Sequence, residues 1–173
     1  DEEVAQFLEY GSKALRRQLY RRNTNFVAAT KEADRFYVNF GQAVISIEES
    51  PLTRDHLFFR NHHIKDCCWL DNALGQVDHL HRRQKMTARA LKRAFGADRL
   101  HETILRAASK EPNREFEIRY VTMPTDEYND FMSPDDGTGR APAEKKQQPY
   151  TVCVIDVENC KFIKVNFFNS LYF

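Results

Sequence analysis

The sequence predicts an α+β protein, with a mainly helical first two-thirds and a small antiparallel β-rich module at the C-terminus. Near the start, Val4, Phe7, Leu8, Leu15 and Leu19 recur at spacings of three, four or their sums, the repeat of an amphipathic helix. Beyond Pro112 the grammar changes, because Phe116, Ile118, Tyr120 and Thr122 alternate with charged neighbours as a half-buried strand requires.

In order along the chain, the first helix is expected from about Glu2 to Arg22, and Asn23-Thr24-Asn25 reads as a turn, since Asn tolerates left-handed backbone. From Arg35 to Glu48, Phe36, Val38 and Phe40 alternate before Gly41, and Ala43, Ile45 and Ile47 after it, so two short strands around a glycine turn or one bulged strand are expected. Ser50-Pro51 is a stop. Thr53 followed by Asp55 is a candidate cap for a helix carrying Leu57, Phe58 and Phe59. Leu70, Leu74, Val77 and Leu80 give a second helical stretch, continued by the basic run into Ala90, Leu91, Ala94 and Phe95 and ended by Gly96. Asp98 is the expected cap of a last helix with Leu100, Ile104 and Leu105 on one face.

A strand over Glu115 to Met123 is then followed by a long Pro- and Gly-containing loop at 124–149 and a hairpin from Tyr150 to Phe168. The strand and the hairpin should pair antiparallel in one sheet. The division this implies is a mainly helical domain at 1–110, with strands near 35–48, and a β-rich module at 111–173.

Composition narrows the function. Apolar residues are 42% and charged residues 29% of the chain, ordinary globular values, and the longest apolar run falls far short of the roughly 20 residues a bilayer helix needs. No membrane partner is expected. Four cysteines, Cys67, Cys68, Cys153 and Cys160, form no dense disulfide framework and point to a reducing, intracellular compartment. Net charge is only +1, yet it is unevenly spread. Seven Lys and Arg residues stand between Arg82 and Arg99 against Asp98 alone, while acids gather at Asp1 to Glu3 and Asp126 to Asp136.

No catalytic residues are assigned, because the sequence holds no nucleophile elbow, phosphate-binding glycine loop or His-Glu-x-x-His helix. Asp55-His56 and Asp78-His79 are acid–imidazole neighbours, but adjacency in sequence rarely gives an oriented catalytic pair. His62, His63, Cys67 and Cys68 are zinc-type ligands in a poor spacing, since adjacent cysteines on a helix point about 100° apart. No metal and no cofactor are expected. The basic run is the stronger signal: Arg82, Arg83, Lys85, Arg89, Lys92, Arg93 and Arg99 on successive helical turns suit a phosphate backbone.

Two short resemblances lead nowhere. The stretch ALKRAFGADRLHETIL resembles a helix-turn-helix, but Lys92 and Glu102 fall where small and buried residues belong. Leu19-Tyr20-Arg21 is similar to the signature of mitochondrial LYR-motif proteins, all-helical bundles that the later strands contradict. At the C-terminus, the strand, the Gly137-Thr138-Gly139 loop and the run Ile155, Asp156, Val157, Glu158 to Phe162 resemble the Sm-like, SH3-type β-barrel domain of phage and bacterial proteins. That resemblance implies a barrel whose edges and aromatic faces bind peptides or nucleic acid, with Tyr120, Tyr150 and Phe162 as partner-binding candidates. The resulting expectation is a non-catalytic binding module for a DNA or RNA backbone or an acidic protein surface. The alternative is a structural subunit of a large assembly, a ribonucleoprotein or a capsid-associated complex.

Overall fold

The computed structural model describes residues 2–49, 57–132 and 148–169. It is an α+β protein in two compact units, one of the described residues up to Ile64 and one of those from Lys65 onward. The 110/111 division read from the sequence falls inside the second unit, between a helix and the strand that follows it.

In the first unit, α1 spans Glu2–Leu19 and buries no residue. A short 3-10 turn at Arg22–Thr24 follows. Thr24 is fully buried there, and its hydroxyl lies 2.7 Å from the carbonyls of both Leu19 and Arg21. Asn25 takes left-handed backbone, φ 59°, and its side-chain amide donates to the carbonyl of Phe59 at 3.0 Å. The turn is the one the Asn-Thr-Asn sequence predicts.

Helix α2 runs Phe26–Phe40, which corrects the expected strand pair at its first half. Ala29, Ala33 and Phe36 at i, i+4 and i+7 form the inward face, and Val38, which the alternation placed beside Phe36, is 82% exposed. Gly41 ends the helix in left-handed backbone, φ 73°, donating its N–H to Tyr37 at 2.8 Å. The second half is a strand, β1 (Val44–Glu49), paired antiparallel with β2 (Leu57–His62). Leu57, Phe58 and Phe59 therefore lie on a strand, not on the expected helix, and the proposed caps Thr53 and Asp55 lie outside the described residues. Phe59 packs edge-on to Phe26 at 4.9 Å, Tyr20 to Phe26 at 5.6 Å, and Phe36 to His63 at 5.0 Å.

The second unit is an antiparallel five-stranded sheet in sequence order, β3 (Cys67–Asp71), β4 (Val77–Thr87), β5 (Glu115–Pro124), β6 (Tyr150–Asp156) and β7 (Lys161–Phe168). The expected pairing of β5 with the β6–β7 hairpin is present, from Ile118 opposite Asp156 to Pro124 opposite Tyr150. The expected helix over Leu70 to Leu80 is instead the β3–β4 hairpin. Its turn is closed by Asn72, whose side-chain oxygen accepts from the N–H groups of Leu74 and Gln76, and by Gly75 at φ 72°. Leu74 sits at the tip, so the leucine spacing that mimicked a helix spans a turn. Strand β4 pairs along both edges, and that pairing outweighs the helical pattern of its side chains.

Helix α3 (Ala88–Phe95) is capped by Thr87, which accepts from the Ala90 N–H at 3.3 Å. Helix α4 (Glu102–Lys110) is capped by His101 rather than Asp98. Leu91 of α3, Leu100 of the connection and Ile104 of α4 meet Phe116, Ile118, Val154 and Ile163 of the sheet in the main core. On Asp156, 1% exposed, the β6–β7 turn is fastened, the carboxylate accepting from the Asn159 side chain at 2.6 Å. The loop expected at 124–149 opens with a helix, α5 (Thr125–Met132), and its Gly- and Pro-containing part at 133–147 lies outside the described residues.

Helix α5 is fastened to the sheet by its side chains, and the Thr125 N–H donates to the Pro149 carbonyl at 2.9 Å. Thr125 and Thr151 hydroxyls meet at 2.9 Å, Tyr128 stacks edge-on to Phe167 at 6.1 Å, and His79 of β4 lies between Asp78 (2.6 Å) and Glu127 (2.8 Å). Burial opposes the charged His79, but the hydrogen bonds to Asp78 and Glu127 outweigh it and raise its pKa.

Two outcomes follow. Ile104→Ala should cost about 2–5 kcal/mol in urea unfolding, while Val38→Ala should stay within about 0.5 kcal/mol. For His79, a folded-state pKa above the unfolded one gives a contribution that is complete at acidic pH and lost as pH rises through the folded value. The stability gap between wild type and His79→Gln should therefore be widest below the ordinary histidine pKa and narrow as pH rises above it. A gap that is flat or widens with pH would contradict the bridge.

Candidate interaction surfaces

The basic residues do not lie on consecutive helical turns. Arg82, Arg83 and Lys85 are on β4, Arg89, Lys92 and Arg93 on α3, and Arg99 in the α3–α4 connection. Alternation on β4 sends Arg82 to the face that carries the core. It is 9% exposed, and its guanidinium sits 4.0 Å from the centroid of the Tyr120 ring, its cross-strand neighbour. A desolvated cation over an aromatic face contributes about 2 kcal/mol, so Arg82 serves the sheet. Arg83, on the opposite face, donates to the Asp66 carboxylate at 2.8 and 3.2 Å.

The remaining five cations are exposed. Arg89, Lys92 and Arg93, at i, i+3 and i+4, share the outer face of α3, opposite the buried Ala88 and Leu91. No carboxylate among the described residues pairs with them. The fold thus assembles a compact basic patch from three of the seven predicted positions.

The aromatic candidates are not brought together. Tyr120 packs half-buried against the main core beneath Arg82. Tyr150 starts β6, opposite Pro124 and Phe168, whereas Phe162 lies near the other end of the β6–β7 ladder, opposite Ile155. Phe162 is the most solvent-open of the three, on an edge strand of the sheet.

Cys67 and Cys68 stand on β3 rather than a helix, which still turns them to opposite faces. Burial pushes the Cys67 thiol up and the Cys153 thiol up to about 11, so neither is an activated nucleophile. All four cysteines are free. His62 contacts the Ser46 hydroxyl at 2.8 Å and His63 packs on Phe36. Among the described residues, no three His, Cys, Asp or Glu side chains gather as metal ligands.

The largest feature is one the charge pattern does not mark. In the first unit Val4, Phe7, Leu8 and Leu15 of α1 are all more than half exposed, as are Tyr37, Val38 and Phe40 of α2. On α1 the signal was present as amphipathic spacing, but such a stripe ordinarily faces a core of its own chain. On α2 it was hidden by the alternation that resembled a strand.

Among the described residues, two helix faces thus expose large apolar side chains and one helix carries a basic patch, features that mark interaction surfaces. Comparison with known proteins agrees with that geometry. No curated protein matches the chain. Residues 1–165 match the family model described as bacteriophage head to tail connecting protein, and the chain belongs to that family.

Proposed function

We propose that this chain is a structural subunit that assembles with other phage proteins where head and tail are connected, and that its first unit supplies docking surface. The family supports the setting. The observation that carries the reading is the uncovered apolar surface of α1 and α2. Helix α1 buries nothing and α2 buries only Ala29 and Ala33, although both carry large apolar side chains. Burying such a side chain is worth about 1.5–3 kcal/mol, and in this reading partner subunits supply the burial. The second unit, with its own core, acts as the rigid body that the first unit tethers to its neighbours. The four free cysteines suit assembly in the reducing interior of a host cell.

A second reading rests on Arg89, Lys92 and Arg93, exposed together on α3 and without a carboxylate among the described residues. In this reading they lie along nucleic-acid phosphates within the assembly. The sheet is open, with β3 and β7 at its edges, and in this second reading the exposed Phe162 edge of β7 is the place for an added peptide strand.

The assembly reading is checked by Tyr37→Ser/Val38→Ser. Incorporation into purified particles should fall at least about tenfold, as for loss of an interface centre, with the urea midpoint unchanged. Incorporation at the wild-type level would count against it. The nucleic-acid reading is checked by Arg89→Gln/Lys92→Gln/Arg93→Gln. Affinity for DNA of any sequence should drop, and the log–log salt slope should flatten by about 0.9 for each lost duplex contact. No retention of wild type on DNA at low salt would remove this reading.

A further inference from the structure

Helix α5 leaves the sheet directly after β5, and its two ends are held unequally. At the start Thr125 is buried, with its N–H on the Pro149 carbonyl and its hydroxyl on that of Thr151, both at 2.9 Å. At the far end Phe131 and Met132 are exposed. Between them, Tyr128 meets the Phe167 ring edge-on and Glu127 reaches Nε2 of His79 at 2.8 Å. Asn129 buries a side-chain nitrogen with no hydrogen-bond partner among the described residues, a donor that water would satisfy if the helix lifted. A helix of eight residues is too short to persist without its packing. Beside the Thr151 anchor, on the same face of β6, Cys153 is 1% exposed, opposite Val121 and Val165 and close enough for its charge to bear on Tyr128.

The Glu127 contact depends on one proton. Nδ1 of His79 faces the Asp78 carboxylate and Nε2 faces Glu127. Ionised carboxylates only accept, so both contacts are hydrogen bonds only when the imidazole is charged, and a neutral ring turns a lone pair toward one of the acids. Glu127 is the more open of the two, its side chain 59% exposed against 18% for Asp78, and is the partner more easily given up. The other groups around His79 cannot stand in for the proton. Leu70, across from it on β3, is uncharged. On the same face of β4, His81 is disfavoured as a cation by burial, by His79 and by Arg119 of β5. Asp126 and Asp130 of α5 are further acids.

We propose that α5 is a hinged cover: it turns about Thr125, lies closed over Cys153 while a charged His79 bridges Asp78 and Glu127, and lifts from the sheet when His79 gives up its proton. Acid therefore favours the closed form and rising pH the open one. Burial works against the charge on His79 and the two hydrogen bonds outweigh it, so the change is centred above the ordinary histidine value. The cover belongs to the second unit and does not depend on what docks against α1 and α2.

Cys153 reports the position of the cover. In the whole chain carrying Cys67→Ser, Cys68→Ser and Cys160→Ser, its reaction with 4,4′-dithiodipyridine is followed from about pH 6 to about pH 9, beside the same chain with Glu127→Ala or His79→Gln added. The ratio of rates at each pH removes the rise in thiolate that all three chains share. At the acid end both variants should react about tenfold faster than their parent, as for loss of a charge-assisted hydrogen bond, and the ratio should fall toward unity as His79 loses its proton. Well below the unfolding midpoint the rates should be nearly independent of urea, as local opening requires. A ratio that stays constant with pH, a Glu127→Ala chain that reacts like its parent at the acid end, or a rate that climbs with urea as steeply as global unfolding would overturn the cover.

Discussion

In the N-terminal unit, helices α1 and α2 and the β1–β2 ribbon all present apolar side chains, but the interior they enclose is a small cluster around Phe26 and Phe59. Only part of that surface fits inside. Ala29 and Ala33 are small because α2 lies close to the ribbon, and this leaves the larger Tyr37, Val38 and Phe40 facing outward. Among the described residues, no further element of that unit covers them. The imbalance between apolar surface and available cover is the constraint from which the functional reading follows.

The second unit solves the same problem internally. Its sheet has one face closed by α3 and α4 through Leu91, Ile104, Phe116 and Ile118, all essentially inaccessible. Its other face is partly covered by α5, which reaches the sheet through Thr125, Tyr128 and the His79 bridge. Charges that could have faced a ligand are used within the fold, Arg82 over Tyr120 and Arg83 on Asp66. Among the described residues, what remains for partners is the outer face of α3, the edge strands, the hairpin tip at Leu74 and the exposed Phe131 and Met132 of α5. The second unit thus has a core of its own, whereas the first exposes most of the large apolar side chains of its helices, a division suited to a subunit that must fold before it assembles.

The sequence was most legible where one local signal acted alone. The alternation of β5, the β-branched runs of β6 and β7 and the Asn-rich turn before α2 each had no competing pattern. It misled where two periods overlapped. Phe36, Val38 and Phe40 satisfy a period of two, and the Ala29–Ala33–Phe36 face that decides the matter is built from small residues that carry little hydrophobic signal. Leu70, Leu74, Val77 and Leu80 satisfy a helical spacing, but Asn72 and Gly75 between them form the turn, and β4 is held by partners on both sides. The site was legible only in part, because a one-residue alternation on β4 buries Arg82 and exposes Arg83 and Lys85, a distinction that needs the strand to be known first. The Glu127 partner of His79 lies 48 residues away and leaves no local trace.

The central claim is that the first unit lacks cover until a partner supplies it, whereas the second does not. Hydrogen exchange, followed by mass spectrometry on the free chain and on the chain assembled with phage proteins, measures this directly. Amides of β4, β5, β6 and α4 should be protected close to the global stability in both states, while those of α1 and α2 should exchange orders of magnitude faster in the free chain and slow on assembly. Protection of α1 and α2 equal to that of β5 in the free chain, or unchanged on assembly, would contradict the account.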